Sequence, residues 1–504
     1  LDRTTPLTDQ IIAQVLSRVA EGHLPQGARL PSIRDTAARL GVNRNTVAMA
    51  YKDLAEKGYI ETHFGGGSTV RRPPMSEEAP APTRSAPGAI ARRVAALDWE
   101  RRFATRASGL FAPLPGGAAG GDSGPVNLFQ LQPHTGLFPV EEFRRCLNTV
   151  LRRNGAALLN YGGPAGYLPL RERIAARLKR QGIPSSAAQV LITSGSQQGI
   201  DLAARAFLDP GDAVVVESPM YSIALKIFQM NGATLLPYAV ERDGISLAGL
   251  EGVIARHAPK LFYAVPNFQN PTAHSYSEAE KRALLEQASR CGALVIEDAS
   301  DAELQPDAAR RPALAALDGA EQVAHLNTFS KTLVPAVRVG YLAGPAPVVH
   351  KLTELKEMTD LSHSLILQAA IVEFMERGLF ERHIELVAAF YRQRMERALG
   401  WLAEALPPET PFARPEGGLC TWVDLPPRMD AGQLYRDLAG KGVLVSPGSL
   451  YQPVPGGRNG LRLCVAGETE ERLRRGIAVL GEELRRALRE PARPRTDEEY
   501  QSIH

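Results

Sequence analysis

The chain has 504 residues, 44% of them apolar and 22% charged, with a formal net charge of +3. That length exceeds one ordinary domain, the composition is that of a soluble globular protein with enough apolar residues for large cores, and no apolar run approaches the roughly 18 residues a membrane helix needs. Residues 1–72 carry ten Lys/Arg and seven Asp/Glu, so all of the excess positive charge falls there. In chain order, Leu7, Ile11, Ile12, Val15, Leu16 and Val19 recur at helical spacing over residues 7–21, and Pro25 and Gly27 then break the pattern. A second helix is expected to open at Ser32, a capping hydroxyl with Asp35 three residues on, and to end at Gly41. Asn43 caps a third, which carries Arg44, Asn45, Thr46, Val47, Tyr51 and Leu54 and closes at Gly58. Residues 59–63 and 68–71 read as two strands joined by Gly65, Gly66 and Gly67.

Helix, helix, turn, helix and hairpin make a winged helix-turn-helix. The stretch LPSIRDTAARLGVNRNTVAMAYKDLAEKGYIETHFGGGSTV is similar throughout to the DNA-binding domain of GntR-type regulators. The resemblance implies that Arg44, Asn45 and Thr46 face base edges or nearby phosphates of an operator. It also implies that Arg34 and the wing tip, Gly65 to Gly67, touch backbone or minor groove. The alternative is a small helical domain whose basic face serves protein contacts.

Residues 73–92, rich in Pro and Ala, suit an extended spacer rather than a core. Val94 to Leu110 has apolar spacing that could lie as an arm on a larger domain, and Pro113 to Pro125 is a Gly/Ala-rich loop. From Asn127 onward, helices alternate with buried strands at 190–193, 213–217, 234–238, 261–265, 294–297, 323–326 and 341–343. Such alternation predicts an α/β domain with a mostly parallel sheet. The domains are therefore expected at 1–72, 93–488 and, between them, the linker 73–92, with a polar tail over 489–504. Four scattered cysteines, none in a Cys-x-x-Cys pair, are read as reduced thiols with no metal site. With a polar Leu1–Gln10 stretch, they point to a cytoplasmic protein and no membrane partner.

The chemistry centres on residues 328–340, with Lys331 in a Ser-Lys step after an apolar run and before Pro335. A desolvated lysine amine is a Schiff-base nucleophile, and its natural cofactor is pyridoxal phosphate (PLP). Arg338, Thr328 and Ser330 supply phosphate donors. Four stretches join them. Thr193-Ser-Gly-Ser-Gln-Gln-Gly199 turns from strand to helix as a phosphate site does. Tyr221 stands at a strand end and could stack on a ring, or belong to the core. Asn270 precedes a proline in a loop, free to donate to a ring oxygen. Asp298 ends an apolar strand, where it could hold a pyridine nitrogen protonated or cap a helix.

NYGGPAGYLPLR, ITSGSQQGIDL, DPGD, QNPT and TFSKTLVPAVRVGY occur in the order seen in fold-type I aminotransferases. With the head, the chain resembles the MocR subfamily of GntR regulators: a multidomain protein joining an α+β winged helix-turn-helix to an α/β PLP-binding domain. The resemblance implies Lys331 as the aldimine lysine, Asp298 as partner of the pyridine nitrogen, Asn270 at the ring oxygen and Tyr221 as the stacking aromatic. It assigns Ser196, Gln197, Thr328, Ser330 and Arg338 to the phosphate cup, Tyr161 to the phosphate of a partner subunit, and Arg462 to an effector's carboxylate. Ser300 stands where the family places a tyrosine, and is too short to reach a ring oxygen as far. Ala273 replaces a frequent glycine, and the usual histidine near Cys420–Asp424 is absent. Cofactor binding is expected to survive these departures; efficient turnover is not. The implied protein is a dimeric, PLP-dependent transcription regulator that senses a small amino compound by aldimine exchange at Lys331. Two other readings stay open: PLP itself as the effector, and an aminotransferase with a vestigial head.

Overall fold

A computed structural model describes residues 7–20, 23–63, 67–71, 99, 102–107, 124–304, 311–319 and 321–490. The expected linker 73–92 and the tail beyond residue 490 lie outside them, as do Gly65 and Gly66. The chain divides into two compact units, Leu1–Arg102 and Phe103–His504. Among the described residues no helix is long and apolar enough to cross a membrane.

In the small unit, α1 (Leu7–Ala20), α2 (Ile33–Leu40) and α3 (Arg44–Glu56) pack on a sheet of β1 (Arg29–Leu30), β2 (Ile60–His63) and β3 (Gly67–Val70). The caps read from the sequence are present. Ser32 Oγ accepts from the Asp35 amide at 3.1 Å and donates to its carboxylate at 2.7 Å, while Asn43 Oδ1 accepts from the Asn45 amide at 2.9 Å. Gly41 ends α2 in the left-handed region, φ +65°, which glycine adopts without cost. Ile11, Val47, Ala50, Leu54, Ile60 and Val70 form the core. The Tyr51 hydroxyl bonds Pro31 O at 3.1 Å and Thr36 Oγ1 at 3.0 Å, fixing α3 against α2. Two features differ from expectation. The sheet has three antiparallel strands in the order β1-β3-β2, because the two-residue β1 was too short to leave a periodic signal. Gly67 is not at the wing tip: it opens β3 opposite His63, at φ +86°.

In the large unit, the main sheet runs β5 (Val190–Thr193), β12 (Gly340–Ala343), β11 (Val323–Thr328), β10 (Leu294–Asp298), β9 (Leu261–Ala264), β6 (Ala213–Ser218), β7 (Thr234–Val240) and β8 (Ile245–Ser246). β12 and β8 are antiparallel to their neighbours and the other contiguous pairs are parallel. The strands are apolar at nearly every position because both faces are covered, so successive residues feed two cores in turn. Ile192, Phe262, Ala264 and Val295 enter one core, with the helices Val140–Leu158, Leu168–Arg180 and Leu365–Glu376. Leu191, Leu261, Tyr263 and Ile296 enter the other, with Ser196–Phe207, Ser222–Met230 and Ala346–Asp360. Gly199 allows the first of these helices to lie close: a Cβ there would stand 2.3 Å from Leu326 Cδ1. A third core fills a smaller layer that the sequence reading did not resolve. There β13 (Cys420–Asp424), β16 (Gly460–Cys464) and β15 (Ser446–Pro447) pair antiparallel, and β4 (Val126–Asn127) lies parallel to β14 (Val443–Leu444).

Candidate functional site

In an open α/β sheet, ligands bind beyond the carboxyl ends of the parallel strands. β5, β6, β9, β10 and β11 all end at one edge, and there a cavity of about 670 Å³ opens. Ser196, Gln197, Tyr221, Asn270, Asp298, Ser300, Thr328, Ser330, Lys331, Arg338 and Arg462 all line it, although they span more than half the chain. Tyr161 does not; it is 81% exposed.

One end of the cavity is built for an anion. β5 leads through Gly195, at φ +80°, into the helix that starts at Ser196, whose first amides have no helical partner. Opposite, Thr328 Oγ1 donates to Ser330 Oγ at 3.0 Å, and the Arg338 guanidinium reaches Ser194 O at 3.1 Å and Ser330 Oγ at 3.5 Å. Arg338 holds a left-handed backbone, φ +48°, uncommon for a residue with a Cβ. A Cβ on Gly195 would stand 2.8 Å from its Nη2, so only glycine leaves this approach open. Hydroxyls, helix-start amides and a guanidinium thus gather in one part of the cavity lining.

The middle is set by β10. Alternation sends its two terminal carboxylates to opposite faces. Glu297 turns into the protein, where it accepts from Leu314 N at 2.6 Å, Ala315 N at 3.2 Å and His325 Nδ1 at 2.9 Å. Asp298 turns into the cavity. Its Oδ1 accepts from the Ser300 amide at 3.1 Å and hydroxyl at 2.5 Å, and its Oδ2 from the Tyr263 hydroxyl at 3.0 Å. Burial raises the Asp298 carboxyl above its ordinary range, and these donors pull it back. Ser300 therefore serves Asp298 rather than a distant ring oxygen. Tyr263 was missed because a tyrosine within an apolar strand reads as core.

Lys331 lies in the single helical turn Phe329–Thr332 after β11, half-buried, and its Nζ donates to Leu131 O at 2.5 Å. Arg462, on β16 and 5% exposed, donates Nη1 to Asn270 Oδ1 at 3.1 Å and Nη2 to Phe129 O. Its Nε is buried without a partner among the described residues. Segment 129–133 and Asp301 also line the cavity and were not read from the sequence. Cys420 lies buried, its thiol pushed up to about 12 by desolvation. A carboxylate at the centre, an amine beside it, a guanidinium at one side and an anion cradle at the other fit a planar, phosphorylated, nitrogen-containing cofactor such as PLP.

Two family models match. Residues 133–480 match aminotransferase class I and II, and residues 7–70 match the gntR family of bacterial regulatory proteins. The HTH-type transcriptional regulator TauR of Rhodobacter capsulatus is 30% identical over 486 residues, 95% of this chain and 96% of that one. A probable rhizopine catabolism regulatory protein, MocR of Rhizobium meliloti, is 28% identical over 490 residues, 95% and 94% of the two chains. Among solved structures, LysN, an alpha-aminoadipate aminotransferase from Thermus thermophilus complexed with N-(5'-phosphopyridoxyl)-L-leucine, superposes with a TM-score of 0.71 at 32% identity. That match covers 78% of this chain and 99% of LysN.

Proposed function

The chain belongs to the class I and II aminotransferase family and carries the gntR-type head of the MocR regulators, and from that premise we propose that it is a DNA-binding transcription regulator that senses a small amino compound through a PLP-loaded pocket. One observation carries the reading: Lys331, Asp298, Arg462 and the cradle around Arg338 converge on one cavity beneath the strand ends. When bound, PLP supplies a carbonyl that primary amines capture and a ring that withdraws electrons.

The chain's own residues do the rest. Ser196, Gln197, Thr328, Ser330 and Arg338 hold the phosphate. Asp298, kept in place by Ser300 and Tyr263, holds the ring nitrogen's proton. Lys331 is the covalent anchor, and a ligand amine competes with it. Asn270 serves the ring oxygen and is itself oriented by Arg462, which takes the ligand's carboxylate; Tyr221 covers the ring. On the small unit, Arg44, Asn45 and Thr46 at the start of α3 read the operator, with Arg34 on its phosphates. Arg34, Arg44 and Asn45 are all exposed, as such contacts require. Regulation needs ligand to favour one conformation over another. The working form is a dimer in this reading: Tyr161 is exposed, as are the apolar side chains of Leu159, at 71%, and Leu168, at 50%, and each is available to a second copy.

The test is a visible absorption spectrum of purified protein, followed by operator binding as amines are added. A band abolished by borohydride, with the cofactor left on the Lys331 peptide, and an amine that shifts both band and DNA affinity are expected. Operator binding that responds equally in Lys331→Ala would overturn the anchor's role in sensing. A response to PLP alone, with none to amines, would make the cofactor itself the signal.

A further inference from the structure

Four carboxylates are buried at or just beyond the ends of β6 and β10, two of them, Asp298 and Asp301, lining the cavity, and three have clear employment. Glu217 accepts from Val265 N at 2.7 Å, Tyr276 OH at 2.6 Å and Gln269 Nε2 at 2.9 Å. Glu297 and Asp298 likewise accept three donors each. Asp301 differs. It is 7% exposed and lines the cavity, yet its Oδ1 has no hydrogen-bond partner among the described residues. Only its main chain is used locally, Leu304 N donating to Asp301 O at 3.1 Å. A buried carboxylate without donors is costly unless a cation stands near.

The nearby cation is Lys331. Burial raises the Asp301 carboxyl, Lys331 is the strongest influence opposing that rise, Asp298 adds to it, and Arg462 opposes it more weakly. Lys331 Nζ meanwhile rests on Leu131 O. An ammonium has three donors and no acceptor, and here one goes to the Leu131 carbonyl and none to Asp301, whose Oδ1 stays without a donor among the described residues. The chain's own lysine thus shows the carbonyl receiving an alkylammonium, while the carboxylate in the same cavity is left open to one. With Lys331 engaged elsewhere, Leu131 O would lose its donor and Asp301 Oδ1 would still lack one.

We infer that Leu131 O and Asp301 form an ammonium subsite, its carbonyl occupied by Lys331 in the cofactor-free protein and both groups taken by the protonated amine of the incoming ligand when Lys331 is engaged. The ligand class is a primary alkylammonium; a carboxylate on it adds Arg462 but is not needed for this subsite. The assignment rests on the reading of Lys331 as cofactor anchor, and it gives the amine a landing place beside the atom it must replace.

Removing the lysine side chain vacates the subsite without any cofactor, so the test uses full-length, cofactor-free protein and propylamine, measured by calorimetry. Lys331→Ala should bind propylamine at least about tenfold more tightly than wild type, as a charge-assisted hydrogen bond is worth that much. Adding Asp301→Asn should abolish the gain, and adding Asp301→Glu should retain most of it, while affinity for propionate does not fall in either. Equal propylamine binding by wild type and Lys331→Ala, or by Lys331→Ala with and without Asp301→Asn, overturns the subsite. If the Asn variant fails to fold, the wild-type comparison with Lys331→Ala still decides. A protein that takes up no PLP overturns the anchor reading instead, and leaves this comparison to stand on its own.

Discussion

The head and the cavity present their working groups in opposite ways. Arg34, Arg44 and Asn45 stand on an exposed face, and what positions them is local: two helix caps and one tyrosine hydroxyl. Asp298, Asp301 and Arg462 are buried: Asp298 is held by nearby Ser300 and distant Tyr263, Arg462 by distant Asn270 and Phe129, and Asp301 Oδ1 by no partner among the described residues. A surface contact is released by changing one side chain and costs the fold little. A buried charge is also part of the fold, so altering it tests stability and binding together.

The largest effect that would sharpen this contrast is Glu297→Ala. It strands two amides and a histidine nitrogen in the core beside β10, and should cost on the order of 3–5 kcal/mol, read as a fall in the urea midpoint of the large unit. If the loss is no greater than for an exposed glutamate, the buried network is not structural. Next comes Glu217, whose carboxyl is raised by burial from 4.5 to about 7. Between those values the folded chain keeps a proton that the unfolded chain has released. Its stabilising contribution is therefore full below pH 4.5, declines as pH rises, and is gone above 7. The stability of Glu217→Gln relative to wild type should shift in the variant's favour across that window by roughly 3 kcal/mol; a flat difference would mean the group titrates normally.

On the exposed side, Arg44→Ala should weaken operator binding by about 1–3 kcal/mol if it reads a base, and lower the salt slope if it holds a phosphate. The melting temperature and the visible spectrum should not move. A shifted spectrum would break the separation between surface and interior. The smallest effect is expected from Asn43→Ala, about 1 kcal/mol on the melting of the head alone, because one cap hydrogen bond is lost.

The same contrast explains what could be read in advance. The head was legible almost to the residue because Ser32, Gly41, Asn43 and the periodic apolar face are local signals. Only β1, two residues long, and the placement of Gly67 within β3 escaped. In the large unit the strands were legible from their apolar runs, and four residues read from local signals line the cavity: Lys331 and Arg338 from the Ser-Lys stretch, Asp298 from a strand end and Asn270 from its place before a proline. Tyr263, Asp301 and the carbonyls of Phe129 and Leu131 were not. Their roles depend on which strands lie side by side, and a main-chain carbonyl carries no residue type. The small layer of β13, β15 and β16 was hidden for a related reason: its strands are short and come from distant stretches that pair only in the folded chain.

The Phe129 carbonyl on Arg462 has an energetic corollary. A carboxylate arriving at that guanidinium joins one already hydrogen-bonded on both of its terminal nitrogens, to Phe129 and Asn270. Capture would then be partly an exchange of acceptors at the terminal nitrogens and partly the satisfaction of Nε, which has no partner among the described residues. The exchanged part should release little heat, because what is measured there is the difference between two hydrogen bonds, and selectivity follows from which ligand makes the better trade. Whatever lets go also matters. The displaced carbonyl belongs to a segment that leaves β4 only two residues earlier, so each exchange at the guanidinium is felt first by the strand through which the chain enters this part of the fold.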